Sequence, residues 1–302
     1  MMILIIIPKL LLPNFDSSNY DLNKNLIIMK ILIPTDFSKL SKVAVHYAVK
    51  MAKKLDSEII LLNVVFVSAT PRVMVAVKVK AIEDIMVDNA KQDSIQLIEE
   101  LKAENSGKLN ISYEIIKGHP VEDVVVSYAI HKNIDLIIMG TKGATGLTKV
   151  LVGSNATAVI NNSDIPVITI PEFARFNNLK HLVYATDFLN LNKELKMILP
   201  LAQLFDATIH VLHIVSSESR KNINAKTVVD KLQIKYPKIT FQVSINDDIL
   251  EGIDEYLADT KADMLAMFTH EVTFFEKLFG KSLTRQMAFH TWMPLLTIKK
   301  FK

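Results

Sequence analysis

From residue 30 onward, short apolar runs alternate with longer amphipathic stretches. In the first half the apolar runs predict strands at 30–34, 58–65, 109–116, 135–139 and 166–170. Between them, hydrophobic positions at helical spacing predict helices at 39–55, 79–104, 120–132 and 153–162. The third of these helices illustrates the reasoning. Pro120 sits in a first-turn position, Glu122 and Asp123 favour the positive end of the helix dipole, and Val121, Val124, Val125 and Tyr128 form one apolar face. Strands such as "LIIM" show no polar alternation, the pattern of a sheet covered on both sides. Strand and helix in strict alternation then predict an α/β fold with a doubly wound parallel sheet.

The pattern occurs twice. A short run ending in Thr35-Asp36-Phe37 returns as a run ending in Thr186-Asp187-Phe188, each followed by a helix and a β-branched strand. The copies also end alike, "SDIPVITI" at Ile170 and "TWMPLLTI" at Ile298. A period of this size means two tandem domains, not a solenoid. The expected division is 29–172 and 178–302, with the break near "PEFARFNN", where Pro171 and the Asn177–Asn178 pair interrupt the periodicity. The second copy has the shorter passage between its second and third strands. Residues 1–28 are expected to be an extension outside the fold, with a weak membrane-surface anchor as the alternative. The apolar stretch "MMILIIIPKLLLP" is interrupted by Pro8 and Lys9, lacks a cleavage site, and is shorter than the roughly 20 residues of a membrane span.

Composition narrows the classes. Half the residues are hydrophobic and 22% are charged, as in a core-forming globular chain. The net charge is only +3, with basic residues scattered along the sequence, which argues against a dedicated nucleic-acid binder. There is no cysteine, so disulfides, thiolate nucleophiles and cysteine-ligated metals are excluded, and the chain is expected in the cytoplasm.

Glycine is concentrated in one place. Of eight glycines, Gly140, Gly143, Gly146 and Gly153 fall within "GTKGATGLTKVLVGSN". This stretch follows the fourth predicted strand, and Pro34, Thr35 and Asp36 follow the first. In open α/β sheets those two loops flank the crevice where ligands bind. Gly140 and Gly143 let the backbone approach a ligand closely. Gly153, Ser154 and Asn155 fall at a helix start, whose unpaired amides and dipole favour phosphate, with Lys142 as an added cation. The plainer alternative is that Ser154 caps the helix and the glycines turn a loop.

The spacing Gly-x2-Gly-x9-Gly-Ser after a fourth strand, with an aspartate after the first, closely resembles the universal stress protein family. The resemblance extends over both copies, nearly all of 29–300, and is that of a tandem member with the Rossmann-like fold of the family. It implies a stress-response regulator that binds ATP or AMP, with magnesium as a companion ion. It puts Asp36 and the backbone around Val64 near adenine and ribose, Met139 and Gly140 beside the nucleoside, and Gly143, Gly153, Ser154 and Asn155 around the phosphates. It also implies pairing of the two copies through their last strands. Association of whole chains into a homodimer is left open.

The second copy departs from the pattern. Asp187 remains, but Phe268 stands in the place of Gly140 and Glu271 near that of Gly143. Bulk there is expected to bar close backbone approach, and a carboxylate would repel phosphate. Only Gly280 and Ser282 resemble the helix-start end, and the Walker-like "GKS" lacks its upstream glycine, where Phe275 stands. The nucleotide is therefore expected in the first copy alone, with binding by His270 and Glu271 of something else left open. No Rossmann Gly-x-Gly-x-x-Gly follows either first strand. His210 and His213, three apart in a predicted strand, face opposite sides and cannot share a metal. No residue is placed to orient a hydrolytic water, so hydrolysis is expected to be slow at most. The alternatives to a nucleotide-binding regulator are an interaction protein with a vestigial pocket and a slow ATPase.

Overall fold

The computed structural model describes residues 28–67, 75–106, 108–141, 153–188, 190–217, 238–269 and 292–299. The first half runs β1 (Lys30–Pro34), α1 (Lys39–Leu55), β2 (Glu58–Val65), α2 (Val75–Glu104), β3 (Ile111–Lys117), α3 (Val121–His131), β4 (Leu136–Gly140), α4 (Ser154–Asn162) and β5 (Val167–Ile170). The second half continues with β6 (His181–Ala185), α5 (Leu191–Leu204), β7 (Thr208–Val215), β8 (Ile239–Ile245), α6 (Ile249–Thr260), β9 (Met264–Thr269) and β10 (Leu295–Lys299).

Helix α1 shows how the sequence specifies an element. Ser38 is its N-cap, in extended backbone, and its hydroxyl accepts the Ser41 amide. Ala44, Val45, Ala48, Met51, Ala52 and Leu55 recur on one buried face. The helix stops at Asp56, whose left-handed backbone returns an amide to Ala52.

The ten strands form one sheet in the order β3-β2-β1-β4-β5-β10-β9-β6-β7-β8. Each half is parallel within itself. The two halves meet where β10 runs antiparallel to β5, with Leu296 opposite Ile168. Both of these strands are buried, and the Thr297 hydroxyl donates to the Val167 carbonyl across the joint at 3.1 Å. The sheet's outer strands, β3 and β8, alternate half-buried and exposed positions, as expected where one face meets solvent.

The halves share backbone devices as well as topology. The amide of Lys30 is held by Asp135, and those of Lys180 and His181 by Asp263. Burial pushes the Asp135 carboxyl up to about 6, with the Lys30 amide bond opposing the shift. Residues 171–178 are more than a break in the pattern. Phe176 is 4% exposed, with ring centroids 5.1 Å from Tyr47 on α1 and 5.7 Å from Phe205 after α5. It joins the cores of the two halves on one side of the sheet.

Candidate functional site

In the first half the chain leaves β1 toward β2 and leaves β4 toward β5, on opposite sides. Their C-terminal ends diverge and open a cleft of about 280 Å³, near the lower limit of small-ligand sites. Pro34, Thr35 and Asp36 line it from β1, Val64 from β2, Met139 and Gly140 from β4, and Gly153, Ser154 and Asn155 from the start of α4. Lys142, Gly143 and Gly146 lie outside the described residues, as do His270, Glu271, Phe275, Gly280 and Ser282.

The turn from β1 into α1 is tightly built. The Thr35 amide donates to the Leu62 carbonyl at 2.9 Å. Its buried hydroxyl accepts the Phe37 amide and shares a hydrogen bond with the Ser41 hydroxyl. The Asn63 side chain donates to the Thr35 carbonyl at 2.8 Å. Phe37 occupies the left-handed region with φ 58°. One oxygen of Asp36 accepts the Ser38 amide, an Asx turn that holds the exposed carboxylate at the cleft's rim. Sequence reasoning missed Ser41 and Asn63. An asparagine inside the apolar run "EIILLNVV" was the available signal, because a polar residue there needs a buried partner.

At the start of α4 the N-cap is Gly153, with φ −59°, ψ 158° and no side-chain cap. Ser154 is the first helical residue, so it does not cap the helix. The first intrahelical bond runs from the Thr157 amide to the Gly153 carbonyl at 3.0 Å. The amides of Ser154, Asn155 and Ala156 have no acceptor within the helix. The Gly153 amide is already engaged, because it donates to the Thr141 carbonyl. Thr141 is in turn fixed by its amide to the Ile170 carbonyl at 3.1 Å. Among the described residues, three first-turn amides, with the dipole behind them, have no acceptor and are placed to meet an anion. Val121, Val125, Val159 and Met139 supply an apolar wall beside them.

Strand register maps the second half onto this site. Ile31 pairs with Leu136 and Leu182 with Met264, so Phe268 corresponds to Gly140. The Thr186 amide donates to Leu212 as Thr35 does to Leu62. Phe188 repeats the left-handed turn with φ 69°. His213 Nδ1 lies 2.7 Å from the Thr186 carbonyl, the role Asn63 plays in the first half. The side chain of Phe268 does not act as expected. Its ring turns to the α5 side and meets Tyr184 at 5.7 Å. The Tyr184 hydroxyl bonds Thr186 and the buried carboxylate of Glu194, and burial raises its pKa strongly. This tyrosine–glutamate pair stands where Ile33 and Ala44 pack in the first half.

His210 and His213 do take different partners, Thr240 and Thr186. His210 instead meets His181, 3.1 Å between ring nitrogens, a pairing not visible in the sequence. Among the described residues there is no group of three metal-ligating side chains and no helix long and apolar enough to cross a membrane.

Comparison with known proteins points one way. The sequence model of the universal stress protein family matches residues 28–171. The universal stress protein MJ0531 of Methanocaldococcus jannaschii is 35% identical over 143 residues, 47% of this chain and 81% of that protein. The universal stress protein MJ0577 of the same organism is 30% identical over 153 residues, 47% of this chain and 93% of that protein. Among solved structures, a universal stress protein from Archaeoglobus fulgidus covers 90% of this chain and 98% of its own, with a TM-score of 0.68 at 16% identity. That likeness establishes the fold across both halves.

Proposed function

This chain belongs to the universal stress protein family, and on that premise we propose that it is a cytoplasmic regulatory protein that binds an adenine nucleotide in its first copy. The proposed units are residues 29–172, which hold ATP or AMP, and 178–302, whose site is altered. The observation that carries this reading is the first-turn end of α4. Ser154, Asn155 and Ala156 present amides with no helical acceptor to a cleft at the sheet's switch point.

The residues present fit a nucleotide. The phosphates would lie against those three amides and the exposed Ser154 hydroxyl. The base and ribose would lie along Val64, Met139 and Gly140. Asp36 sits at the β1 end, so its carboxylate would accept from ribose hydroxyls or hold a magnesium ion, not approach a bare phosphate. Bound nucleotide would tie the β1–α1 turn to the start of α4, and so bias the shape the protein offers its partners. The joint of β5 with β10 would be the permanent pairing of the two copies. Any hydrolysis would be slow.

One observation favours the reading of a vestigial pocket. The Gly153 amide is taken by Thr141, which leaves one donor fewer for phosphate. Nucleotide extraction separates the two. Purified protein is denatured and the supernatant resolved by chromatography, alongside calorimetry with ATP and magnesium. Adenine nucleotide in the supernatant, or heat of binding, is the expected result. The absence of both would leave the vestigial reading standing.

A further inference from the structure

On the far side of the β1–α1 turn lies a second groove, about 700 Å³, between α1, the end of α2 and residues 174–176. Its lower part is apolar, formed by Phe37, Val43, Tyr47 and Phe176. Its rim is cationic. Helix α1 contains five lysines and no acidic residue, and Lys39, Lys42 and Lys50 fall along the groove together with His46. These positions lie three to four residues apart, one stripe of about 16 Å at 1.5 Å per residue. What reads as scattered charge in the sequence is gathered on one helix face. Arg175 faces the stripe from the other wall, its guanidinium pinned by the carbonyls of Glu172 and Ala174. Among the described residues the groove has one carboxylate, Glu104, which lies 3.5 Å from His46. The matching helix of the second half, α5, has Asn192, Lys196 and Pro200 at the places of Lys42, His46 and Lys50.

We propose that this groove is a docking site for an acidic peptide segment of a partner protein, one in which acidic and apolar residues alternate. Charge complementarity selects the anion. The apolar floor selects a peptide over a nucleic-acid backbone, which would leave the half-exposed Phe37 and Val43 uncovered; Tyr47 and Phe176 are buried beneath them. An extended peptide repeats its side chains on one face about every 6.6 Å, so two repeats, about 13 Å, approximate the roughly 12 Å rise from Lys42 to Lys50 along α1. Its carboxylates would meet the lysine stripe and Arg175 while the alternate side chains fill the floor. Arg175 is held in place before binding, which lowers the ordering cost. This proposal is independent of nucleotide in the neighbouring cleft.

The test is fluorescence anisotropy with the full chain and a labelled peptide of alternating glutamate and valine. Binding is expected at low salt, weakening about tenfold when salt is raised to several hundred millimolar. Lys39→Glu with Lys50→Glu should weaken it by about tenfold or more, while Lys196→Glu on α5 should change it less than about twofold. Lys39 and Lys50 are exposed, so folding should survive, as an unchanged melting temperature would verify. A peptide with serine for valine should bind several-fold more weakly. The proposal is overturned if the wild-type chain does not bind the peptide, or if the Lys39–Lys50 reversal leaves affinity unchanged. It is equally overturned if the serine peptide binds as well, or if a single-stranded oligonucleotide of equal charge binds more tightly.

Discussion

The two halves of this chain share a backbone and differ in what they place around it. The left-handed turn after the first strand, the threonine amide to the second strand and the aspartate that ties the strand starts all occur twice. Around them, Gly140 becomes Phe268, Ile33 becomes Tyr184, Ala44 becomes Glu194 and Asn63 becomes His213. The second half thereby gains a buried hydrogen-bonded pair and an aromatic contact where the first has isoleucine, alanine and glycine. The difference teaches that the turn geometry belongs to the fold, whereas the proposed ligand would depend on the side chains and on the start of α4, which has no side-chain cap.

The largest effect should come from closing that helix start. Gly153→Asp supplies an N-cap carboxylate, which competes for the amides an anion would use and repels phosphate. Nucleotide affinity should fall about a hundredfold or more while the melting temperature holds or rises. Retained affinity, measured by calorimetry, would remove α4 from the site.

A second contrast is a swap of sizes. A side chain at Gly118 would come within 2.5 Å of Val124, while at the matching contact of the second half Asn246 faces Gly252. Gly118→Asn should destabilise by about 1–3 kcal/mol through overpacking. Adding Val124→Gly, which reproduces the second half's arrangement, should recover part of that loss despite the roughly 1 kcal/mol cost of a helical glycine. Urea denaturation of both single variants and the double variant measures the coupling, and additive losses would show that the two contacts are unrelated.

Next comes the buried pair. Tyr184→Phe removes a hydroxyl that donates to Glu194, and should cost about 1–3 kcal/mol in urea denaturation. A cost near zero would make the pair irrelevant to the second half's stability.

The last prediction concerns Asp135. Its carboxyl is raised to about 6 in the fold against 3.8 as the ordinary value, so the folded state binds more protons in that interval. Its contribution to stability should therefore decline as pH rises from about 4 to about 6 and stay level above. Asp135→Asn should flatten that slope. An unchanged slope in pH-dependent unfolding would assign the titration to another group, with Asp254, also raised to about 6, the next to test.

Much of the scaffold was legible in advance. β1, α1 and β2 begin and end where apolar periodicity and capping residues place them, because local patterns there agree with the tertiary fold. Helix α2 begins at Val75, four residues before its expected start, because the alternating "VAVKVK" resembles a strand as much as a helix. The lining of the candidate cleft was legible at Asp36, Gly140 and Gly153–Asn155, which follow the strand ends and open α4. It was not legible where it depends on which polar groups meet once the chain has folded. Ser41 against Thr35 and Thr141 against Gly153 carry no spacing signal, and Asn63 shows only as a polar residue in an apolar run, with no sign of its partner. Nor does the direction of the Phe268 ring, which strand parity and the packing of α5 decide. Phe176 read as part of a linker because a single aromatic beside Pro and Asn reveals nothing of the two helices it joins.

Calorimetric titration of the whole chain with ATP and magnesium, run beside Gly153→Asp, tests the central claim most directly. One nucleotide bound per chain, lost in the variant, is the predicted result. Two per chain, or binding that survives in the variant, would contradict it.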